Sequence, residues 1–162
     1  MLLDIGCGPK KMVGYTGMDM DMYEGVDIMH NIESIPWPIE DNCCTHVNAS
    51  HVLEHVSPTK IIEVMNELWR ITAEKCEVEI RTPYGDFYHF DPTHQIEFYA
   101  PSWMYFDHTS EYYDIYRPKP WKLMKAEVNE KNMELHVILR RCKIEQKKEK
   151  DNGIPEKVIQ KP

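Results

Sequence analysis

The sequence predicts an α/β fold in which a mostly parallel sheet ends in an antiparallel hairpin. Three observations support this prediction. Short apolar runs alternate with connecting segments over residues 1–83, one amphipathic helical pattern stands between two of those runs, and two strand-like runs flank a polar turn near residue 130. Runs separated by crossovers are typical of parallel sheets, whereas runs joined by a tight turn form antiparallel pairs.

The first half of the chain contains four predicted strands. MLLDI is the first apolar run, GCGPK is a turn, and YTGMDMD and GVDIM are short second and third strands. NIESIPWPIEDNC is a predicted loop, because its two prolines and several acids interrupt both strand and helix patterns. THVNASH alternates enough to be the fourth strand.

The second half begins with the clearest helix, SPTKIIEVMNELWRIT. Its apolar residues recur at helical spacing, with Ser57 as the expected N-cap and Pro58 at the first helical position. CEVEIRTP is a fifth strand, and PSWMYF is a short helix. WKLMKAEVNEKNMELHVILRR is a hairpin that turns at NEKN. Residues 84–100 are long and rich in polar aromatics, which predicts a functional loop.

Length and charge predict one domain over residues 1–141 and a charged tail over residues 142–162. Residues 140–162 hold eight Lys or Arg and four Asp or Glu, although the whole chain has a net charge of −8. We interpret the tail as a solvated end, and a docking patch for an acidic partner is the alternative. The net charge argues against the uniformly basic face of a general nucleic-acid binder.

Composition also predicts a cytoplasmic protein that does not act at a membrane. No apolar run approaches the ~20 residues of a membrane span, and the N-terminus lacks the pattern of a secretory signal. The five cysteines form no C-x-x-C pair, so neither a zinc knuckle nor a disulfide framework is indicated.

The stretch LLDIGCGPK places D-x-G-x-G directly after the first strand. Glycine lets the backbone approach a polar nucleotide closely, because it has no Cβ. Asp4 ends the first strand, where a carboxylate can meet a positive group, and Asp19 ends the second, where it can accept both hydroxyls of a ribose. Asp19 follows Gly8 by only eleven residues, which is closer than the ~20 of a dinucleotide fold and argues against NAD.

These residues resemble the class I S-adenosylmethionine-dependent methyltransferases. LDIGCG is similar to the first motif of that family, GMDM to the second, and NIESIPWPIEDNCCTHVNASHVLEHV to the segment that ends in V-L-E-H. The resemblance covers about residues 1–85 and is strongest to small members that also carry a DPTH loop, here Asp91 to His94. It implies a Rossmann-like sheet with a truncated N-terminus and, since eight residues separate Gly8 from Gly17, a reduced first helix.

The resemblance implies S-adenosylmethionine as cofactor and methyl transfer to an unidentified small or macromolecular acceptor. Asn31 stands where the family usually has Asp at the adenine edge, and its amide oxygen can still accept from the adenine amino group. Asp4, Gly6 and Gly8 would hold the amino-acid end and Asp19 the ribose. Asn31 and Ile32 would frame the adenine, and Ser50 and His51 would lie near the methionine arm. Cys7 and Met20 complete the expected cofactor-binding residues.

The acceptor side is expected in the aromatic loop, with Tyr84, Tyr88, Asp91 and His94 as substrate-binding residues. Removing a proton from an oxygen or nitrogen nucleophile near neutral pH suits histidine. We therefore predict His94 as base or acceptor-binding residue, with His51 as the second catalytic candidate. Asp91 could orient the His94 imidazole and raise its basicity.

Two other functions are compatible with parts of the sequence. HVLEH, residues 51–55, has the H-x-x-E-H pattern of zinc hydrolases, in which His51 and His55 would hold the metal and Glu54 would act as base. A strand ends near Ser50 and Pro58 disfavours a helix through residues 51–60, and no third ligand is evident, so we expect no metal. The other function is a non-catalytic S-adenosylmethionine-binding module, which the missing N-terminal helix of the family favours.

The predicted shortage of helices also bears on assembly. A sheet that few helices cover should expose apolar surface, and such surface is commonly buried in oligomers. The sequence therefore predicts a homodimer.

Overall fold

A computed structural model describes residues 1–143 and contains one seven-stranded sheet, in the order β3-β2-β1-β4-β5-β7-β6. Strands β1 to β5 pair in parallel, and β7 lies antiparallel between β5 and β6. This arrangement confirms the predicted fold class. The strands are β1 Leu2–Ile5, β2 Thr16–Asp19, β3 Ile28–Met29, β4 Cys44–Ser50, β5 Thr72–Pro83, β6 Trp121–Asn129 and β7 Glu134–Arg141.

The part of the chain that the structure describes has two α-helices, α1 over Ile61–Ile71 and the short α2 over Tyr113–Tyr116. The prediction that Ser57 caps α1 is wrong, because its carbonyl accepts a hydrogen bond from the Lys60 N–H at 2.8 Å and closes a separate turn. The first α-helical bond instead runs from Val64 N–H to the Lys60 carbonyl, at 3.0 Å. The helix therefore begins three residues after the predicted proline start.

The first helix is reduced to one 3-10 turn, as predicted. Gly8–Lys10 form this turn between β1 and β2. Three further 3-10 segments span Leu53–His55, Gly85–Phe90 and Ala100–Tyr105, and the last of these contains most of the predicted short helix PSWMYF. The turns leave the loops after β1, β2 and β4 close to one another at the carboxyl edge of the sheet.

The two faces of the sheet differ in chemistry. Val78, Ile80, Val137 and Leu139 are fully buried and belong to the same apolar core as the inner side of α1. The alternate positions on β5 and β7 carry acidic and basic side chains that face one another, with Glu77 2.7 Å from Arg140 and Glu79 2.9 Å from His136. This face is charged rather than apolar, so the reasoning behind the predicted homodimer does not hold here.

Two sequence predictions concern regions beyond these elements. Most of the predicted tail, residues 144–162, lies outside the described residues, so its boundary and its role stay predictions. Within residues 1–143, no helix is long and apolar enough to span a bilayer.

Candidate functional site

The carboxyl ends of β1, β2 and β4 and the turn after β3 surround a cleft of about 720 Å³. Six of the ten residues predicted to bind the cofactor line this cleft. These are Gly6, Asp19, Met20, Asn31, Ile32 and His51. Further lining comes from residues that the sequence did not single out for the cofactor: Asp21, Tyr23, His30, Glu33, Val52, His55, Val56, Thr93 and Gln95.

Gly6 is required at its position for two independent reasons. Its φ is +63°, in the left-handed region that side chains disfavour. A Cβ built there would lie 2.5 Å from Cγ2 of Val52, which forms part of the cleft wall. The backbone of β1 therefore turns into the cleft at a point where only glycine fits.

Asp19 presents a fixed carboxylate to the cleft. The side chain is nearly buried and accepts the Gly8 N–H at 2.8 Å on one oxygen and the Asp21 N–H at 3.0 Å on the other. Each oxygen of a carboxylate has two acceptor sites. The group is therefore held by the backbone and keeps acceptor capacity for a ligand hydroxyl on either oxygen.

Four predicted cofactor residues, Asp4, Cys7, Gly8 and Ser50, are not part of the cleft lining. Asp4 is buried and accepts the Asn48 side-chain amide at 2.7 Å and the Met12 N–H at 2.9 Å. These bonds hold the 3-10 turn against β4. Burial, together with Asp19 and Asp4, raises the pKa of the Cys7 thiol.

Asn31 and Ile32 lie in a turn that internal hydrogen bonds fix. The Asn31 side-chain oxygen accepts the Glu33 N–H at 2.8 Å, and the Ile32 carbonyl accepts the indole N–H of Trp37 at 2.8 Å. Trp37 is buried behind the turn. The amide oxygen of Asn31 thus has one acceptor site left for a ligand.

The sequence predicted that HVLEH would not form a continuous helix, and the structure agrees. His51 has a φ of +54°, and the 3-10 turn Leu53–His55 gives way to extended backbone at Val56. The His51 ring lies between two carboxylates, with Nε2 2.8 Å from Glu134 and Nδ1 3.4 Å from Glu54. Glu54 raises the pKa of His51 most, and Glu134 raises it further. Burial acts to lower the pKa, but the two carboxylates outweigh it.

The aromatic loop approaches the cleft through residues other than those predicted. Thr93 and Gln95 line it, whereas Tyr84, Tyr88, Asp91 and His94 do not. Gln95 N–H donates to the Glu54 carbonyl at 2.7 Å, and its side-chain amide donates to the His55 carbonyl at 2.7 Å. These bonds attach the DPTH segment to HVLEH.

His94 is oriented by Tyr88 and not by Asp91, so that prediction is wrong. Its Nδ1 lies 2.6 Å from the Tyr88 carbonyl, and its ring packs against the Tyr88 ring with centroids 5.2 Å apart. Asp91 instead accepts the Thr93 N–H at 2.8 Å and hydroxyl at 2.6 Å, and these bonds lower the pKa of Asp91. The short Asp91 side chain is occupied within its own turn.

The structure brings Glu54, His55 and His94 together, and the sequence analysis did not predict this cluster. One potential ligand atom from each lies within 4.8 Å of the others. Glu54 is completely buried. HVLEH was a visible signal for two of these residues, but contact with DPTH depends on tertiary structure.

Comparison with known proteins gives structural matches alone. No family model matches the chain, and no curated protein matches it in sequence. An S-adenosylmethionine-dependent methyltransferase from Archaeoglobus fulgidus superposes with a TM-score of 0.63 at 14% identity, covering 86% of this chain and 85% of that one.

Two further matches share the fold but have different activities. A 1,6-didemethyltoxoflavin-N1-methyltransferase from Burkholderia thailandensis, solved with bound S-adenosylhomocysteine, has a TM-score of 0.60 at 11% identity over 88% of this chain and 71% of that one. The cyclase SpnF has a TM-score of 0.60 at 12% identity, over 86% of this chain and 73% of that one. Because a fold can support several reactions, these matches establish that this chain has the fold of class I S-adenosylmethionine-dependent methyltransferases.

Proposed function

We propose that the chain binds S-adenosylmethionine in the cleft and transfers a methyl group to an acceptor. The observation that carries this proposal is the position of the Asp19 carboxylate, which the backbone holds at the end of β2 beside the bare backbone of Gly6. In α/β sheets, ligands bind at the carboxyl ends of the strands.

The lining of the cleft fits the proposed cofactor. Its volume, about 720 Å³, lies within the roughly 300–1,000 Å³ of small-molecule sites. Asp19 would accept the ribose hydroxyls, Asn31 and Ile32 would frame the adenine, and Met20 would pack beside them. Gly6 and His51 would border the methionine arm.

The remaining predicted cofactor residues support the site from behind. Gly8 donates its N–H to Asp19, and Asp4 fixes the turn that contains Cys7 and Gly8 through Asn48 and Met12. Asp4 and Gly8 would therefore influence affinity through geometry, and direct contacts from Cys7 and Ser50 remain a prediction.

The acceptor side of the cleft is proposed at HVLEH and the aromatic loop. The bound cofactor would supply an electrophilic sulfonium methyl, so the chain has to orient the acceptor and remove a proton where one is present. His51 lines the cleft, and His94 lies behind His55 with ring centroids 4.7 Å apart. Tyr84, Tyr88 and Asp91 would shape this region without lining the cleft.

Thermal denaturation with S-adenosylhomocysteine tests cofactor binding. A ligand that binds only the folded state stabilises it, by about 2.7 kcal/mol at a hundredfold excess over its Kd. We expect the wild-type Tm to rise by several degrees at high micromolar ligand, and Asp19→Ala to lose most of that rise. Asp86→Ala, which removes an exposed acid outside the cleft, should retain it.

An equal rise in Asp19→Ala and wild type would contradict the ribose assignment, and no rise in any variant would contradict the cofactor assignment. Each variant is compared with its own ligand-free Tm, since Asp19 also holds two backbone N–H groups. Incubation with methyl-labelled cofactor and cell extract then separates an enzyme from a non-catalytic binder, because only an enzyme would transfer the labelled methyl group to an acceptor.

A further inference from the structure

The Glu54 carboxylate is buried beside two imidazoles but accepts no hydrogen bond from the described residues. It has no exposed surface, and neither oxygen accepts a hydrogen bond from any residue within 1–143. His51 Nδ1 at 3.4 Å and His94 Nε2 at 4.0 Å lie within ion-pair range of Oε1 but make no hydrogen bond to it. Burying an ionised carboxylate is costly unless a cation or donors compensate it.

The hydrogen bonds around His94 fix which ring nitrogen carries its lone pair. A carbonyl oxygen can only accept, so the 2.6 Å contact with the Tyr88 carbonyl places the proton on Nδ1. In the neutral form of the ring, the lone pair is then on Nε2, the atom that faces Glu54 at 4.0 Å. In that form Nε2 and the Glu54 oxygen are both acceptors, and a cation between them would compensate the two lone pairs.

The same reasoning applies to His55. Its Nδ1 lies 3.0 Å from the Thr93 hydroxyl, whose single proton is donated to Asp91 at 2.6 Å. His55 Nδ1 must therefore donate to the Thr93 oxygen, which leaves the lone pair on Nε2 when the ring is neutral. Histidines that bind metals are typically held in this way, with the second ring nitrogen donating to a carbonyl or another fixed acceptor.

We propose that Glu54, His55 and His94 form a binding site for one divalent transition-metal ion. One carboxylate oxygen and two neutral imidazoles are a ligand set used by zinc and related ions, whereas magnesium and calcium prefer oxygen alone. Ligand atoms in a tetrahedral zinc site lie roughly 3.3 Å apart. One potential ligand atom from each of the three residues lies within 4.8 Å of the others, so binding an ion would require the side chains to move closer together.

The site would open towards the cleft. His55 lines the cleft together with Thr93 and Gln95, while Glu54 and His94 lie behind it. Three protein ligands leave a coordination position for an oxygen of the acceptor, whose proton the ion would make easier to remove. This consequence rests on the proposed methyl transfer, whereas ion binding itself does not. His94 would then be a ligand, and His51 would remain the candidate base.

Zinc titration in the absence of cofactor tests the site. The chelator-treated full chain is titrated with ZnCl2 by calorimetry, and bound zinc is counted by elemental analysis after dialysis. We expect one tightly bound ion per chain, with affinity lowered by at least about tenfold in Glu54→Gln and in His55→Ala. His89→Ala removes an exposed histidine of the same loop and should bind as wild type does.

The proposal is overturned if no stoichiometric zinc binds, or if both ligand variants bind it as tightly as His89→Ala does. His55 is only half-buried, so His55→Ala keeps the test valid if Glu54→Gln does not fold. Magnesium binding as tight as that of zinc would overturn the assigned class of ion. Because cofactor is absent from this titration, its failure is distinct from a failure of the S-adenosylhomocysteine shift.

Discussion

At the scale of single residues, Gly6 determines the shape of the cleft. Gly6→Ala should abolish the S-adenosylhomocysteine shift, because the new Cβ would lie 2.5 Å from Val52 and displace the wall. The positive φ adds a backbone penalty of about 1–2 kcal/mol. Gly14→Ala is a matched control, since Gly14 also has a positive φ, +84°, but has no atom within 4 Å of the built Cβ.

Both glycine variants should therefore lose stability in denaturant unfolding, and only Gly6→Ala should lose ligand binding in calorimetry. Ligand binding by Gly6→Ala as tight as that by Gly14→Ala would show that the cleft wall does not depend on this contact.

His94 should matter for turnover and not for cofactor affinity. It lies outside the cleft lining but contacts His55 and approaches Glu54. His94→Ala should lower turnover by about a hundredfold, whether its nitrogen accepts a proton or binds an ion. Single-turnover kinetics, once an acceptor is found, and calorimetric titration of cofactor check this. Turnover within a few-fold of wild type, or a parallel loss of cofactor affinity, would make His94 structural.

Residue positions were predictable where they follow the end of a strand. Asp19, Gly6 and His51 reach the cleft because parallel strands bring their carboxyl ends to one edge. The partner of Asp4 was not predictable, because it is Asn48 on a neighbouring strand. The orientation of His94 was not predictable either, because a backbone carbonyl sets it and every residue has one.

At the scale of elements, Asp107 joins the segment before α2 to the hairpin strand β6. Its buried carboxylate accepts the N–H groups of Thr109 at 2.8 Å and Leu123 at 3.1 Å, and the Lys122 ammonium at 3.1 Å. Burial acts to raise the pKa of Asp107, but these hydrogen bonds outweigh it, so the pKa is lowered.

Asp107→Asn should therefore destabilise the fold in a pH-dependent way. A lowered folded-state pKa gives stability that is present above the unfolded pKa of about 3.9 and is lost as pH falls through the folded pKa. We expect a loss of about 1.5–3 kcal/mol in the free energy of unfolding at pH 7, which shrinks below about pH 4. Urea denaturation at pH 7 and pH 3 measures this loss of free energy, with the exposed Asp114→Asn as control.

An equal loss at pH 3 and pH 7 would show that the charge of Asp107 does not contribute.

The hairpin that Asp107 supports was predicted from two alternating runs around NEKN, and the structure has it as β6 and β7. The position of β7 between β5 and β6 was not predictable, since local patterns do not fix strand order. GVDIM was predicted as a short third strand, and the structure has the strand β3 at its end, over Ile28–Met29.

At the scale of the whole molecule, one face of the sheet is packed and the other is charged. α1 and the aromatic segment contribute to the core on the first face, and paired acids and bases occupy the second. A homodimer through uncovered apolar sheet therefore has no support from β5 and β7, and the oligomeric state stays a prediction.

The whole molecule also explains why the cleft and the Glu54 cluster are adjacent. HVLEH follows β4, and its turn borders the cleft on one side and the DPTH segment on the other. A cofactor at Asp19 and an ion at Glu54 would thus meet at His51 and His55. In the proposed complex, the reacting end of the cofactor would lie beside the acceptor oxygen.

Above all, we predict that the cleft binds an S-adenosyl group with its ribose on Asp19. A crystal structure of the chain with S-adenosylhomocysteine measures this most directly. We predict both ribose hydroxyls within about 3 Å of the Asp19 carboxylate oxygens, with the adenine beside Asn31 and Ile32. An adenosyl group bound elsewhere, or a ribose without contact to Asp19, would contradict it.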